Sequence, residues 1–264
     1  MSNEYTDISY RTHDGLAWIV INRPERYNAF RATTIDQLIW AFKRAWADKD
    51  VGVVALRGAG DKAFCTGGDQ KQRAETGDYG PSESGLFEVE MLHRLIRDIP
   101  KPVIAAVNGF AIGGGHVLHL LCDLTVAADH AKFGQTGPKV GSFDAGFGTA
   151  YMARVIGEKR AREVWYTCRQ YTASTMQEWG LVNEVVPLSG LDDAVRSLAA
   201  EMLDKSPTAL RVCKASFNAA SDHIAGISSM GFTSLDLFVK TDEAMEGARA
   251  FAEKRSPDFG AFRD

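Results

Sequence analysis

The stretch Pro102–Gly148 limits this chain's fold more than any other. It begins with an apolar run, Val103 to Val107, which reads as a buried strand. The run meets Asn108-Gly109, a turn signal, and Gly113-Gly114-Gly115 then opens a helix-like stretch. Glycines let a ligand approach the backbone, and a helix start leaves unpaired N–H groups pointing outward. Such donors suit a negative charge developing on a carbonyl oxygen. A second apolar run, Leu120 to Ala128, leads into a polar glycine-rich loop that ends at Ser142 and Asp144. A donor site and an acid/base candidate therefore lie close in sequence.

An earlier segment has the same form. Val51 to Arg57 reads as a strand and feeds the loop GAGDKAFCTGGDQ, residues 58–70. Gly67-Gly68 in that loop, paired with Gly113-Gly115, supplies two backbone donors from two strand-end turns, the usual construction of an oxyanion hole.

The rest of the chain reads in order. Ala17 to Asn22 is a strand. Residues 33–46 form an amphipathic helix with Ile35, Leu38, Ile39 and Phe42 on one face, and Thr34 and Gln37 have capping-box spacing. Residues 71–85 are polar and read as a mobile loop. A helix over 86–99 is ended by Pro100. Helices follow near 146–156, 158–168 and 173–179, with a short strand over Leu181–Val186. Strand–strand–helix order recurs without a fixed-period repeat. From about residue 190 the pattern is helical: 191–204, 207–219 and 228–252. This divides the chain into a core, 1–190, and a helical region, 191–264, as a separate layer or assembly arm.

Several chemistries find no support. The net charge is −4 with no block of like charge, which argues against nucleic acid. No run is apolar enough to span a membrane, and the N-terminal MSNEYTDISYRTHDG lacks a signal-peptide stretch, so a cytoplasmic location is expected. Cys65, Cys122, Cys168 and Cys213 form no CxxC pair and read as free thiols, the first two in apolar surroundings. His116, His119 and Cys122 share one helix face, yet no further ligand lies nearby, so a packing role is favoured over a metal. Neither nucleotide fingerprint occurs, nor a GxSxG elbow.

AFCTGGDQ (63–70), NGFAIGGG (108–115), CDLTVAA (122–128) and FGQTGPKVGSFDAGFG (133–148) together resemble the crotonase, or enoyl-CoA hydratase/isomerase, superfamily. The resemblance runs from about Gly15 to Phe262. It implies an α/β spiral of ββα repeats with a C-terminal helical trimerisation region. It also implies homotrimers or homohexamers, an acyl-CoA thioester substrate, and an oxyanion held by Gly68 and Gly114. No tightly bound cofactor is expected, coenzyme A being part of the substrate. By the same resemblance Thr66, Gly67, Asp69, Gln70, Phe110, Ala111, Ile112, Gly113 and Thr136 border the substrate. Arg26, Lys254 and Arg255 are candidates for the CoA phosphates.

The pattern departs from the hydratases at both catalytic glutamates, where this chain has Val117 and Gly137. Without them, water activation and α-carbon protonation in the hydratase manner are lost. NAFR (28–31), GGDQ (67–70), GQTGPKVGSFD (134–144) and AREVWYTCRQY (161–171) instead resemble the subgroup of 2-ketocyclohexanecarboxyl-CoA hydrolase and 1,4-dihydroxy-2-naphthoyl-CoA synthase. That resemblance makes Asp144 the acid/base. Ser142 would orient the substrate carbonyl or Asp144, and Tyr79 would contact substrate from its loop. Gln135, Thr136, Gly137 and Trp165 resemble synthases that use hydrogencarbonate as base. Val239 stands where the subgroup has a tyrosine, which removes a hydroxyl from the site. The expectation is C–C bond cleavage or formation in a cyclic β-keto acyl-CoA, with the ring-cleaving hydrolase ahead of the synthase. A hydratase/isomerase or a non-catalytic acyl-CoA-binding paralogue ranks lower.

Overall fold

The structure, a computed structural model, describes residues 5–76, 79–143 and 146–263. Its elements in order are β1 (Ile8–His13), β2 (Leu16–Ile21), α1 (Ala32–Ala47), β3 (Val53–Gly58), β4 (Ala63–Cys65), α2 (Gln70–Thr76) and α3 (Val89–Asp98). Then come β5 (Val103–Val107), β6 (Phe110–Ile112), α4 (Gly114–Leu121), β7 (Leu124–Ala128), β8 (Lys132–Gly134), α5 (Gly148–Ile156) and α6 (Glu158–Thr167). The chain closes with β9 (Gln170–Thr172), α7 (Ala173–Glu178), β10 (Glu184–Val186), α8 (Leu191–Leu203), α9 (Pro207–Ala219), α10 (Ile224–Phe238) and α11 (Asp242–Ala252).

Two sheets sort the strands by their place in each repeat. β3, β5 and β7 join β1, β2 and β10 in one sheet of order β1-β2-β3-β5-β7-β10. The strand after each of those three, β4, β6 and β8, goes to a second sheet of order β4-β6-β8-β9. Each turn of the chain thus adds one strand to each sheet, which is the expected spiral of ββα repeats. β2, β3, β5 and β7 pair in parallel and are apolar almost throughout because both sheet faces are covered. One face takes Ile19, Leu56, Ala105 and Val107 against Ile35, Leu38, Ile39 and Phe42 of α1 and Leu92 and Ile96 of α3. The other packs Trp18, Ala55, Ile104 and Val126 against Leu191, Val195 and Ala199 of α8. The helical region therefore starts as a layer of the core.

Several local expectations are corrected. Thr34 lies inside α1, where its hydroxyl accepts the Arg31 N–H at 3.2 Å, while Gln37 Oε1 accepts the Asp7 N–H at 2.8 Å, so these two residues form no capping box. Part of the supposed loop 71–85 is helix α2, begun by Asp69 Oδ1 accepting the Gln72 N–H at 3.1 Å. The run Leu120–Ala128 is divided between the end of α4 and strand β7. Residues 228–252 hold two helices: α10 ends at Phe238, and α11 starts with the Thr241 hydroxyl accepting the Ala244 N–H.

Candidate active site

β4, β6 and β8 run parallel and adjacent, so the loops after them leave the sheet at one end, where open α/β sheets bind ligands. Those loops carry Gly67-Gly68, Gly113-Gly114 and Gln135-Thr136-Gly137. Gly67 (φ +84°) and Gly113 (φ +57°) both take backbone conformations that side-chain-bearing residues avoid. The loops touch: a Cβ built on Gly67 would lie 2.9 Å from the Gly114 nitrogen, and one on Gly113 would lie 3.3 Å from the Thr136 hydroxyl.

Peptide planarity fixes both donors. The Gly67 carbonyl accepts the Phe30 N–H at 2.8 Å, and the Asp69 N–H donates to the Phe30 carbonyl at 2.8 Å. In a trans peptide N–H and C=O point opposite ways, so the Gly68 N–H faces away from Phe30. The Gly113 carbonyl accepts the Val117 N–H at 3.1 Å, as the first bond of α4. The Gly114 N–H therefore points back out of the helix start. Two outward N–H groups on touching loops, one at the positive end of a helix, are the donor pair that an oxyanion hole requires.

An aromatic group closes over this pair. Tyr79 packs on Gly68 so tightly that a Cβ there would overlap its ring. Tyr79 stacks on Phe87 with centroids 4.5 Å apart, and Phe30 lies 6.2 Å from Phe87 and against Gly114. The Tyr79 carbonyl accepts the Ala32 N–H at 2.8 Å, which ties the segment to the start of α1. Phe30 and Phe87 were not singled out from the sequence, where no spacing connects them to the glycines.

The remaining expected residues fall into three groups. Gln135 and Trp165 are buried, at 2% and 6% exposure, and among the described residues neither Gln135 Nε2 nor Trp165 Nε1 has a hydrogen-bond partner. Helix α6, which carries Trp165, packs on the turn 137–139. A Cβ on Gly137 would lie 3.2 Å from the Ser142 carbonyl oxygen, so a longer residue would press on the Ser142-Phe143 loop. Ser142 donates its N–H to the Gly137 carbonyl at 2.9 Å. Asp144, the acid/base expected from the sequence, lies outside the described residues.

A second group is buried in the strands or bonded within the protein. Ala111 and Ile112 are buried strand residues, leaving their backbone as the accessible part. Asp69 is 4% exposed, and its carboxylate is occupied by the Arg23 guanidinium at 2.8 Å and the Gln72 N–H. It is not presented to a ligand. Burial pushes the Asp69 carboxyl up, but the Gln72 N–H and Arg23 overcome this and hold it below the usual range. Thr66 donates its hydroxyl hydrogen to the Tyr27 carbonyl at 3.3 Å, and Gln70 Nε2 donates to the Gly68 carbonyl at 3.2 Å. Phe110 is half-buried edge-on to Tyr27, with centroids 6.3 Å apart.

The third group is basic. Arg26 is half-buried in the turn before α1. Lys254 is exposed after α11. Arg255 is held by both oxygens of Glu246, at 2.6 and 2.8 Å, and by Glu253 at 2.6 Å. A phosphate would have to compete with those carboxylates.

Helix α11 seats Ala244 and Gly247 on Gly141, one residue before Ser142. A cleft of about 290 Å³ beside this contact is lined by Pro138, Ser142, Phe143, Phe238, Glu243 and Phe259. Val239, at the end of α10, is half-buried, while the neighbouring Phe238 ring borders the cleft and packs 5.4 Å from Phe143. His116 and His119 are fully buried, their rings 4.8 Å apart and edge-on to Phe133. Burial pushes His116 down to about 4 and His119 well below its usual value, so both are neutral core groups. Burial also pushes the Cys65 thiol up to about 12 and the Cys122 thiol further, so neither is a nucleophile.

The profile of the family described as Enoyl-CoA hydratase/isomerase matches residues 11–261. The chain belongs to that family, the crotonase superfamily of acyl-CoA enzymes. Its solved relatives include an enoyl-CoA hydratase from Mycobacterium avium subsp. paratuberculosis K-10, with 28% identity over 97% of this chain and 99% of that one, and a TM-score of 0.86. Similar too are a carnitinyl-CoA hydratase from Mycobacterium avium, at 32% identity, 97% and 98% coverage and a TM-score of 0.84, and an enoyl-CoA hydratase from Bacillus anthracis, at 30%, 96% and 98%, and 0.76. No helix of the described residues is long and apolar enough to cross a membrane.

Proposed function

We propose that this chain cleaves a C–C bond in a cyclic β-keto acyl-CoA, by way of a thioester enolate bound to the Gly68 and Gly114 N–H groups. The observation that carries this reading is what surrounds those donors. Val117, on α4, is apolar and 4% exposed, and a side chain at Gly137 would press on Ser142-Phe143. Both positions where the resemblance puts the hydratase glutamates thus lack an acid, and a side chain at the second would have to shift the Ser142-Phe143 backbone by a few tenths of an ångström. The hydratase names of the similar structures weigh the other way, but a shared fold serves several reactions.

The chemistry follows from the donors. Water adds to the ring ketone, the bond between that carbon and the α-carbon breaks, and its electron pair becomes the thioester enolate. The two N–H groups stabilise the enolate oxygen, and a proton then returns to the α-carbon. The ring opens to a carboxylate at the far end, with the thioester intact. By resemblance Asp144 moves the protons, and Ser142 orients the ketone or Asp144.

A second reading, ring closure of the naphthoyl-CoA synthase type, draws on one specific observation. Among the described residues Gln135 Nε2 and Trp165 Nε1 are buried donors without partners, a costly state that a small anion would relieve. They would hold hydrogencarbonate, which when bound supplies a base beside the α-carbon. For assembly we propose a homotrimer or homohexamer, supported by the exposed Phe217, Met230 and Leu237 of α9 and α10.

The test is incubation with 2-ketocyclohexanecarboxyl-CoA in water carrying oxygen-18. Mass spectrometry should show ring opening with one labelled oxygen in the distal carboxylate. Unchanged substrate at high enzyme concentration would remove the ring-cleaving reading.

A further inference from the structure

Gly68 owes its N–H direction to its parallel bridge with Phe30, and one buried side chain clamps that bridge from both sides. Arg23, 8% exposed, donates from Nη1 to the carbonyl of Ala29, the residue before Phe30. From Nη2 it donates to the carboxylate of Asp69, the residue after Gly68, at 2.8 Å. A planar guanidinium can serve two acceptors in fixed mutual geometry, which an ammonium cannot. Asp7, 3% exposed, backs the clamp. Its Oδ2 lies 3.6 Å from Arg23 Nε, and it takes both Nε and Nη2 of Arg31, the residue after Phe30, at 2.7 Å.

We infer that Arg23 is a positioning residue for the oxyanion hole, acting through Asp69 and Ala29 to aim the Gly68 N–H at the substrate carbonyl. This rests on the oxyanion reading above and adds a residue to it. The logic is mechanical. The Gly68 N–H points into the site only while the Gly67 carbonyl stays on Phe30, and Gly67 has a backbone freedom that would otherwise let the peptide turn. Hydrogen-bond donation to a developing oxyanion is steep in direction, so a misaimed donor loses effect before binding is lost. Arg23 and Asp69 are also a nearly fully buried ion pair. Such pairs are poor sources of net stability, while breaking one leaves an uncompensated buried charge.

The experiment reads carbonyl polarisation without requiring turnover. Butyryl-CoA carrying carbon-13 in its thioester carbonyl is bound to the wild type and to Arg23→Lys, Arg23→Met and Asp69→Asn. The carbonyl resonance and stretching band are recorded beside affinity by calorimetry and fold by circular dichroism. In the wild type, bound carbonyl should be visibly polarised relative to free ligand. In folded variants most of that shift should vanish while Kd changes less than about threefold. With the true substrate, kcat should fall about 10–100-fold at nearly constant KM. Arg23→Lys should not restore the shift. If Arg23→Met fails to fold, Arg23→Lys and Asp69→Asn carry the same comparison. A folded variant with the full shift overturns the role of Arg23 and leaves the oxyanion hole standing. No shift in the wild type overturns both.

Discussion

The ring of Tyr79 lies against the Cα of Gly68, with Cζ 2.8 Å from where a Cβ on that glycine would sit. Gly68, the proposed oxyanion donor, and its aromatic cover are therefore one packed unit. Gly68→Ala must displace Tyr79 or turn the peptide. Turnover should fall about 100-fold or more, the scale of losing one oxyanion donor. Tyr79→Ala should relieve the overlap and recover part of that loss in the double variant. Kinetics of the two single variants and the double one check this, and strictly additive losses would contradict it.

Asp144 is the only carboxylate in the GSFDAGFG segment. Asp144→Asn keeps its shape and removes its proton. Rate should drop on the order of 100-fold or more while acyl-CoA binding persists. Full activity in this variant would take Asp144 out of the mechanism.

The Gln135 and Trp165 donors, which have no partner among the described residues, give a test of the base. If hydrogencarbonate sits there, activity measured in carbonate-free buffer should fall and return when hydrogencarbonate is added. Ring cleavage can run on water and Asp144, so insensitivity favours cleavage. Strong dependence, abolished by Trp165→Phe, favours ring closure.

Stability should depend on pH in a defined window. Burial pushes both His93 and His116 from the ordinary 6.5 down to about 4. Between those values the unfolded chain binds protons that the folded chain refuses, so stability is complete above pH 6.5 and falls as pH drops toward 4. Each histidine contributes a slope of up to about 1.4 kcal/mol per pH unit. Asp7 and Asp69, held below the ordinary carboxylate value, act only at still lower pH. Urea unfolding at pH 7, 6 and 5 measures the slope, and His93→Gln should reduce it. A flat profile would contradict burial of neutral imidazoles.

The sequence shows the sheet where burial makes it continuous. The apolar runs of β2, β3 and β5 stand out because both faces of that sheet are covered. β4, β6, β8 and β9 are three residues each, too short for any period to register. β1 carries polar residues along an exposed edge, which hides its strand character in the sequence. The break between α10 and α11 has no Gly or Pro, and Val239-Lys240-Thr241 resembles helix interior until Thr241 is seen capping. In the candidate site, the juxtaposed Gly67-Gly68 and Gly113-Gly114 turns are legible because their motifs are local. Arg23 is not, because its partner Asp69 is 46 residues away. The resemblance puts Asp69 beside substrate, whereas its carboxylate faces the core and Arg23.

One measurement tests the central claim most directly: turnover of crotonyl-CoA and of 2-ketocyclohexanecarboxyl-CoA by the same preparation. If Val117 and Gly137 stand in place of both hydratase acids, as the resemblance implies, crotonyl-CoA should be hydrated at a negligible rate while the ring compound is opened at an ordinary enzymatic one, about 1–1000 per second. Crotonyl-CoA turnover in that range, with the ring compound untouched, would make this chain a hydratase and contradict the account.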